Sequence, residues 1–233
     1  MTSFKELDAD DKTTIRTLLH EAIPITGTIV SGTYSDNNIK NYSHGMFQSV
    51  YDYPYLSSSA NHIFDITVGY SSDSGLSGAL HTQNAKKINV YNEMAQVLYG
   101  YDATGSIRAF DEDGDVSGGT KMKECIFIAF SRLLVKDEIK KGTFSMEFGV
   151  NGPFSSPSPF VSRIKLFDVG ADESFKINSP VGEYGILIAD TTDGGTDKLH
   201  DDDGTLAGGQ KAGLIFYQAG VAVITASVFT DSN

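Results

Sequence analysis

The sequence predicts a mainly β protein, a sandwich-like arrangement of antiparallel sheets with one well-defined α-helix at about residues 84–99 and long loops. Three observations predict this class. Only one long segment has the apolar periodicity of a helix, several short apolar runs are bounded by turn residues, and 24 of the 233 residues are glycine. A chain of this length can bury a substantial core.

The predicted helix has one apolar face. Five apolar residues recur there at three- and four-residue spacing: Ile88, Tyr91, Met94, Ala95 and Leu98. Lys86 and Lys87 fall elsewhere on the helical wheel. Thr82 or Asn84 can cap the start of the helix, and Gly100 can end it. Because nearly all the rest is strand, turn or loop, this face must pack on a sheet.

Strands are predicted from short apolar runs and from alternation of apolar and polar residues. Residues 125–130 are apolar at every position, which is typical of a strand buried on both faces. Residues 143–150 alternate, with Phe144, Met146, Phe148 and Val150 on one face. The other predicted strands cover residues 25–30, 63–70, 106–110, 160–169, 182–190, 213–218 and 221–229, and residues 12–21 are predicted to form a short helix.

Composition divides the chain into three parts. Residues 1–62 form an N-terminal segment with an extended arm rich in Tyr, Ser and Gly, residues 63–150 a β-rich core with the helix, and residues 151–233 a β-rich C-terminal part. A run of about 30 residues without periodicity, as in the arm, usually has a function.

The charge balance is acidic, with 18 basic against 30 acidic residues and a net charge of −12. Such a chain is repelled by phosphate backbones and anionic lipid, so we predict neither a nucleic-acid nor a membrane partner. Cys125 is the only cysteine, which leaves no intrachain disulfide and predicts a small core residue. The first residues lack the pattern of a signal peptide, so synthesis in a cytoplasm is expected.

Two acidic glycine loops share one pattern, D-x-D-G-x-x-x-G-G-x-K, at residues 111–121 and 201–211. Each precedes an apolar strand. The pattern favours two hairpin tips, since Asp-Gly and Gly-Gly supply turn conformations, over a distant duplication.

The first of these loops also matches a calcium template. Asp113, Asp115, Ser117 and Glu124 occupy ligand positions one, three, five and twelve, and Gly118 the sixth. The residues after Glu124 read as strand instead of helix, which argues against an EF-hand. A looser oxygen-lined cation site is the alternative, and a solvated acidic turn is the favoured interpretation. Calcium is thus the one cofactor that the sequence suggests.

No motif identifies an enzyme. The five histidines are scattered without paired spacing, and neither a G-x-S-x-G elbow nor a phosphate-binding glycine loop occurs. We therefore expect a protein without catalytic activity.

The tyrosine-rich segment predicts a protein interface. Tyrosine among Ser, Gly and Asn gives contact area at low entropic cost, which adaptable binding surfaces use. The predicted contact residues are Tyr42, Phe47, Tyr51, Tyr53 and Tyr55. The alternative, given equal weight, is that these rings cover the edge of the core.

A family resemblance rests on four sequence segments: LLHEAIPITGTI at 18–29, SHGMFQSVYDYPYLSSSANH at 43–62, NAKKINVYNEMAQVLYGYD at 84–102 and SRLLVKDEIKKG at 131–142. Together they resemble a family of virion structural proteins from marine contractile-tailed phages, especially those of cyanobacteria (cyanophage myoviruses). The likeness covers the chain up to about residue 150 and is looser after that. Members continue into further β-rich sequence, which implies that the C-terminal part is incomplete here.

The resemblance implies a non-enzymatic bacteriophage structural protein, made in the host cytoplasm and located in the virion. Tail or baseplate is the expected position, with other virion proteins as partners and a homo-oligomer of symmetric copies. The alternative is an adhesin-like host-recognition module that binds surface glycan, assisted by calcium in the acidic loops.

Overall fold

The computed structural model describes residues 39–51, 62–78, 83–116, 118–130, 138–150, 162–191 and 210–229. Their strands are β1 (Ile39–Asn41), β2 (Gln48–Tyr51), β3 (His62–Tyr70), β4 (Glu124–Phe130), β5 (Ser145–Val150), β6 (Ser162–Phe167), β7 (Lys176–Ser179), β8 (Gly182–Thr191), β9 (Gln210–Phe216) and β10 (Val221–Thr225). The α-helices are α1 (Asn84–Leu98) and the single turn α2 (Ala171–Ser174), and Gly75–Ser77 and Ala226–Phe229 are 3₁₀ turns. The mainly β class is confirmed. The predicted helix at 12–21 and strand at 25–30 lie outside the described residues.

All ten strands belong to one antiparallel sheet. Their order is β1-β2-β3-β4-β10-β9-β8-β6-β5, and β7 pairs with β8. The three parts distinguished by composition all contribute to it, since β2 pairs with β3 and β4 pairs with β10. The hydrogen-bonded path through the sheet therefore runs from the N-terminal part through the core to the C-terminal part.

The central strands are buried on both faces, as residues 125–130 predicted. Along β4, Phe127 joins the apolar cluster under α1, whereas Ile128 joins the cluster on the opposite face. In β10, Val223 and Ile224 divide in the same way. We call these two sides the helix face and the opposite face.

The sheet bends so that its ends cover its own opposite face. The rings of Phe130 in β4 and Phe144, just before β5, lie 5.6 Å apart between centroids. Five strand spacings separate β4 from β5 along the sheet order, which is about 24 Å in a flat sheet. This contact therefore requires a folded sheet, and the layers of the predicted sandwich are halves of one sheet.

Helix α1 packs on β3 at a glycine. A Cβ atom at Gly69 would lie 2.7 Å from the carbonyl oxygen of Lys87 and 2.8 Å from the amide nitrogen of Tyr91. Only a residue without a side chain permits this approach. Gly100, with φ of 78°, follows the last turn and donates to Ala95 O at 2.9 Å, as predicted.

The prediction for the helix face is wrong in two details. Lys87 is fully buried, and burial lowers its pKa to about 8, while Ile88 is only half-buried. The buried stripe thus starts one residue earlier than expected, because a lysine stem can pack like an apolar chain.

The helix cap also differs from the prediction: Gln83 occupies the N-cap position, and the Asn84 side-chain amide donates to Ser77 O at 2.6 Å.

The predicted strand at 106–110 is wrong as well. Ile107 forms only an isolated antiparallel bridge with Tyr101. Between them the Asp102 carboxylate accepts hydrogen bonds from the backbone amides of Thr104 and Ser106, at 2.8 and 2.9 Å. Local side-chain bonding of this kind stabilises a turn in place of a ladder.

Replacing Gly69 with Ala tests the approach of α1 to the sheet. The new methyl group meets backbone atoms, so the helix must move, and we expect the free energy of unfolding to fall by about 1–3 kcal/mol. Urea unfolding followed by circular dichroism measures this. Gly75→Ala is the control, because a Cβ there meets no atom within 4 Å. Equal stability of both variants would contradict the assigned packing.

Candidate functional site

The predicted interface residues lie where the sheet begins. Tyr42 and Phe47 flank the connection between β1 and β2, with His44 between them, and the three rings form a cluster that we call the aromatic turn. Tyr42 stacks on His44 at 5.3 Å between centroids, and Phe47 lies 5.0 Å from each. Tyr42 and Phe47 are half-buried and His44 is exposed. Part of each ring is therefore open to a partner.

Tyr51 lies apart from this cluster. Its ring is 5.3 Å from that of His62, at the other end of β2, and it is half-buried. Tyr53 and Tyr55 lie outside the described residues. The structure thus brings Tyr42 and Phe47 together and places Tyr51 separately.

A chain of polar contacts fixes the aromatic turn to the sheet. The Tyr42 and Ser49 hydroxyl oxygens are 3.0 Å apart, and Ser49 donates to the Asp65 carboxylate at 2.5 Å. His62 Nε2 is 2.8 Å from the same Asp65 oxygen. Ser49 and Asp65 are register partners in β2 and β3, so strand pairing alone aligns these groups.

Two further hydrogen bonds tie the turn to its neighbours. The Thr67 hydroxyl on β3 donates to the carbonyl oxygen of Met46 at 2.6 Å. The Lys86 ammonium group on α1 donates to the carbonyl oxygen of His44 at 3.1 Å. The turn is thereby held against both the sheet and the helix.

A groove of about 210 Å³ lies between the aromatic turn and α1. It is lined mainly by apolar side chains from the turn, β3, β4 and α1: Met46, Phe47, Asp65, Ile66, Thr67, Val90, Glu93, Met94, Phe127 and Ala129. Among the described residues of this lining, the ionisable side chains are two carboxylates, Asp65 and Glu93. The arrangement suits the contact of an apolar group with a positive charge beside it.

The predicted calcium ligands have other partners. Asp113 accepts the Asp115 backbone amide at 2.9 Å and lies 3.5 Å from the Lys211 ammonium group. Glu124 accepts a hydrogen bond from the hydroxyl of Ser74. Ser117 lies outside the described residues. Across the ranges that the structure describes, no three His, Cys, Asp or Glu side chains form a metal-binding group, and calcium binding stays a prediction.

The first acidic loop is a hairpin tip, as predicted. Asp111 and Lys121 form an antiparallel bridge, and the Met122 amide donates to Phe110 O at 2.9 Å. The second loop lies almost wholly outside the described residues, but its last residue, Lys211, pairs with Asp113 in the first. A lysine of one loop therefore compensates an acid of the other.

Electrostatics inside this hairpin depend on Asp111. Its carboxylate is fully buried and forms an ion pair with Lys121. Burial raises the pKa of Asp111, whereas hydrogen bonding with the Asp111 carboxyl group and the Asp115 amide lowers the pKa of Asp113 to about 2. The two neighbouring acids therefore differ in pKa, with Asp111 above its ordinary value and Asp113 below it.

Sequence reasoning missed a buried carboxylate that anchors the segment before β5. Asp168 accepts the Tyr217 hydroxyl at 3.0 Å and the amides of Gly142 and Phe144 at 2.9 Å each. Burial is the main cause that raises its pKa. Lys141, the residue before Gly142, forms an ion pair with Glu183 at 2.5 Å. These contacts position β5 and serve a structural role.

Comparisons with protein-family models, curated proteins and solved structures find no match to this chain. Within its described part, no helix is long and apolar enough to cross a membrane.

Replacing Lys121 with Met tests the hairpin. The buried Asp111 carboxylate then loses its ammonium partner, and we expect the free energy of unfolding to fall by about 1–3 kcal/mol, less than for a fully buried pair because Lys121 is partly exposed. Urea unfolding at neutral pH is the measurement. Lys123→Met, at an exposed position two residues away, should change little. No difference between the variants would mean that backbone amides alone satisfy Asp111.

Proposed function

We propose that the protein is a non-enzymatic structural subunit of a phage virion that acts in particle assembly, most readily in the tail or baseplate. The resemblance of the first 150 residues to virion proteins of marine contractile-tailed phages supports this assignment. The structural observation that carries it is the aromatic turn, whose rings are held in place yet remain partly exposed beside an apolar groove.

The chemistry of this surface resembles that of protein interfaces. Such interfaces are enriched in Tyr, Phe and Met at their centre and have a polar rim. Here Phe47, Met46 and Met94 form the apolar centre, and Asp65 and Glu93 form the polar rim. The Tyr42 ring, already fixed by the contact of its hydroxyl group with Ser49, loses less entropy when a partner binds.

The subunit is expected in several symmetric copies, with other virion proteins as partners. Repeated use of one surface in a symmetric particle multiplies a modest contact into a stable assembly. Its location would be the virion, after synthesis in the host cytoplasm.

An adhesin-like host-recognition module is the second candidate. The observation that favours it is the stacked pair of Tyr42 and His44, of which the His44 ring is exposed, since sugars bind on aromatic rings with polar groups nearby. Calcium-dependent binding of the isolated protein to host surface glycan would support this candidate against assembly.

Mass spectrometry of purified particles, separated into head and tail fractions, tests the assembly proposal. We expect the protein in the tail fraction at a fixed, low multiple of a known tail protein. Absence from both fractions would refute the proposal.

Replacing Tyr42 and Phe47 together with Ala tests the surface. We expect incorporation into particles to fall at least about tenfold, as for loss of an interface hot spot, while the isolated protein stays folded by circular dichroism. Ile177→Ala is the matched control, because Ile177 is 75% exposed and lies on β7. Incorporation equal to wild type would exclude the aromatic turn from the interface.

A further inference from the structure

The size of the groove limits what it can hold. At about 210 Å³ it is smaller than most pockets for small molecules, which have volumes of roughly 300–1,000 Å³. A cavity of about 150 Å³ accommodates benzene. The groove is therefore suited to a single large apolar side chain.

The walls of the groove are adaptable. Met46, next to Phe47 of the aromatic turn, and Met94 on α1 face it, with Phe127 and Ala129 on the sheet. Methionine has an unbranched, polarizable side chain that fits inserts of different shape. Such walls accept Leu, Ile, Met or Phe, so the shape of the groove does not distinguish between these side chains.

The charges of the lining select what lies next to that side chain. Asp65 and Glu93 are both acidic, and no Lys, Arg or His is found among the lining residues that the structure describes. Glu93 is exposed on α1, and Asp65 is half-buried on β3, where the oxygen that accepts the Ser49 hydroxyl also lies 2.8 Å from His62 Nε2. Because Asp65 already has these two partners, Glu93 supplies most of the attraction for an entering cationic side chain, and an anionic side chain is repelled.

We propose that the groove binds an extended segment of a neighbouring virion protein that inserts one large apolar side chain next to a lysine or arginine. This inference rests on the proposed function, because it names the chemistry of the partner at the same surface. The aromatic turn then covers the segment from one side and α1 from the other.

Peptide binding to the isolated protein tests the chemistry without particles. The probes are three matched peptides, acetyl-Gly-Ser-Arg-Leu-Arg-Ser-Gly-amide and its relatives with Ser in place of Leu or Glu in place of both Arg. Binding is followed by the ¹³C-methyl signals of methionine. Met46 and Met94 line the groove, while Met122 in the cluster under α1 and Met146 on the opposite face are internal controls.

We expect the Arg-Leu-Arg peptide alone to shift the Met46 and Met94 signals and to leave Met122 and Met146 unchanged. Glu93→Gln should weaken this binding about two- to fivefold, as for an exposed ion pair. Glu173→Gln, at an exposed acid on α2, should not weaken it. Equal shifts with the Glu-Leu-Glu peptide, or no shift with any peptide, would overturn the inference.

Filling the groove provides a second variant. Ala129→Leu places a larger side chain on the floor and should abolish the shifts of Met46 and Met94. Unchanged Met122 and Met146 signals in the free variant show that it is folded. Binding that survives in this folded variant would place the peptide elsewhere and refute the site.

Photo-crosslinking in assembled particles identifies the occupant. With benzoylphenylalanine in place of Val97, an exposed position on α1 one turn from Glu93 and outside the groove lining, we expect adducts to a segment of another virion protein that has an apolar residue beside Lys or Arg. Adducts within the same chain, or none in particles that contain the protein, would overturn the inference and leave the assembly role intact. Absence of the protein from particles would instead refute the assembly role.

Discussion

The structure depends on the burial of β4, β10 and β9 on both faces. Strands that are apolar on each side must be covered twice, or their side chains stay in water at a cost of about 1.5–3 kcal/mol for each large one. Helix α1 and the segment leading to Met122 cover one face, and the folded sheet covers the other. Because residues 125–130 are apolar on both faces of the strand, they require a covering layer on each side.

This double cover also explains where the groove forms. Helix α1 reaches the backbone of β3 at Gly69, yet it borders open space at Val90 and Met94. The aromatic turn, tied to the sheet through Thr67 and to α1 through Lys86, forms the far wall. The width of the groove therefore follows from how closely the helix approaches at Gly69 and from how firmly the turn is held. The contacts that pack the helix and the turn therefore also shape the proposed binding surface.

Local patterns predicted the elements that have strong periodicity, and they failed where tertiary contacts decide. The helix at 84–99 and the alternating strand at 143–150 follow from spacing, and both are confirmed. Strands β1 and β2 have three and four residues in a Ser- and Asn-rich stretch, and they are strands because β3 pairs with β2. Lys87 was predicted to lie outside the apolar face because it is charged. Its long apolar stem nevertheless packs in the core, four residues before Tyr91 on the same face. Of the site, sequence indicated Tyr42 and Phe47, whereas Asp65 and Glu93 look like ordinary surface acids until the fold places them together.

The sign of the charge at the groove bears on how copies of this protein can meet. The chain has a net charge of −12, so two copies repel one another over most of their surfaces. Asp65 and Glu93 add acidic groups at the groove itself, which makes the groove a poor match for another acidic surface of the same protein. A partner with basic residues has no such penalty. On the proposed assembly role, contacts between identical copies would therefore use other parts of the molecule, and the groove with its aromatic turn would contact a different protein.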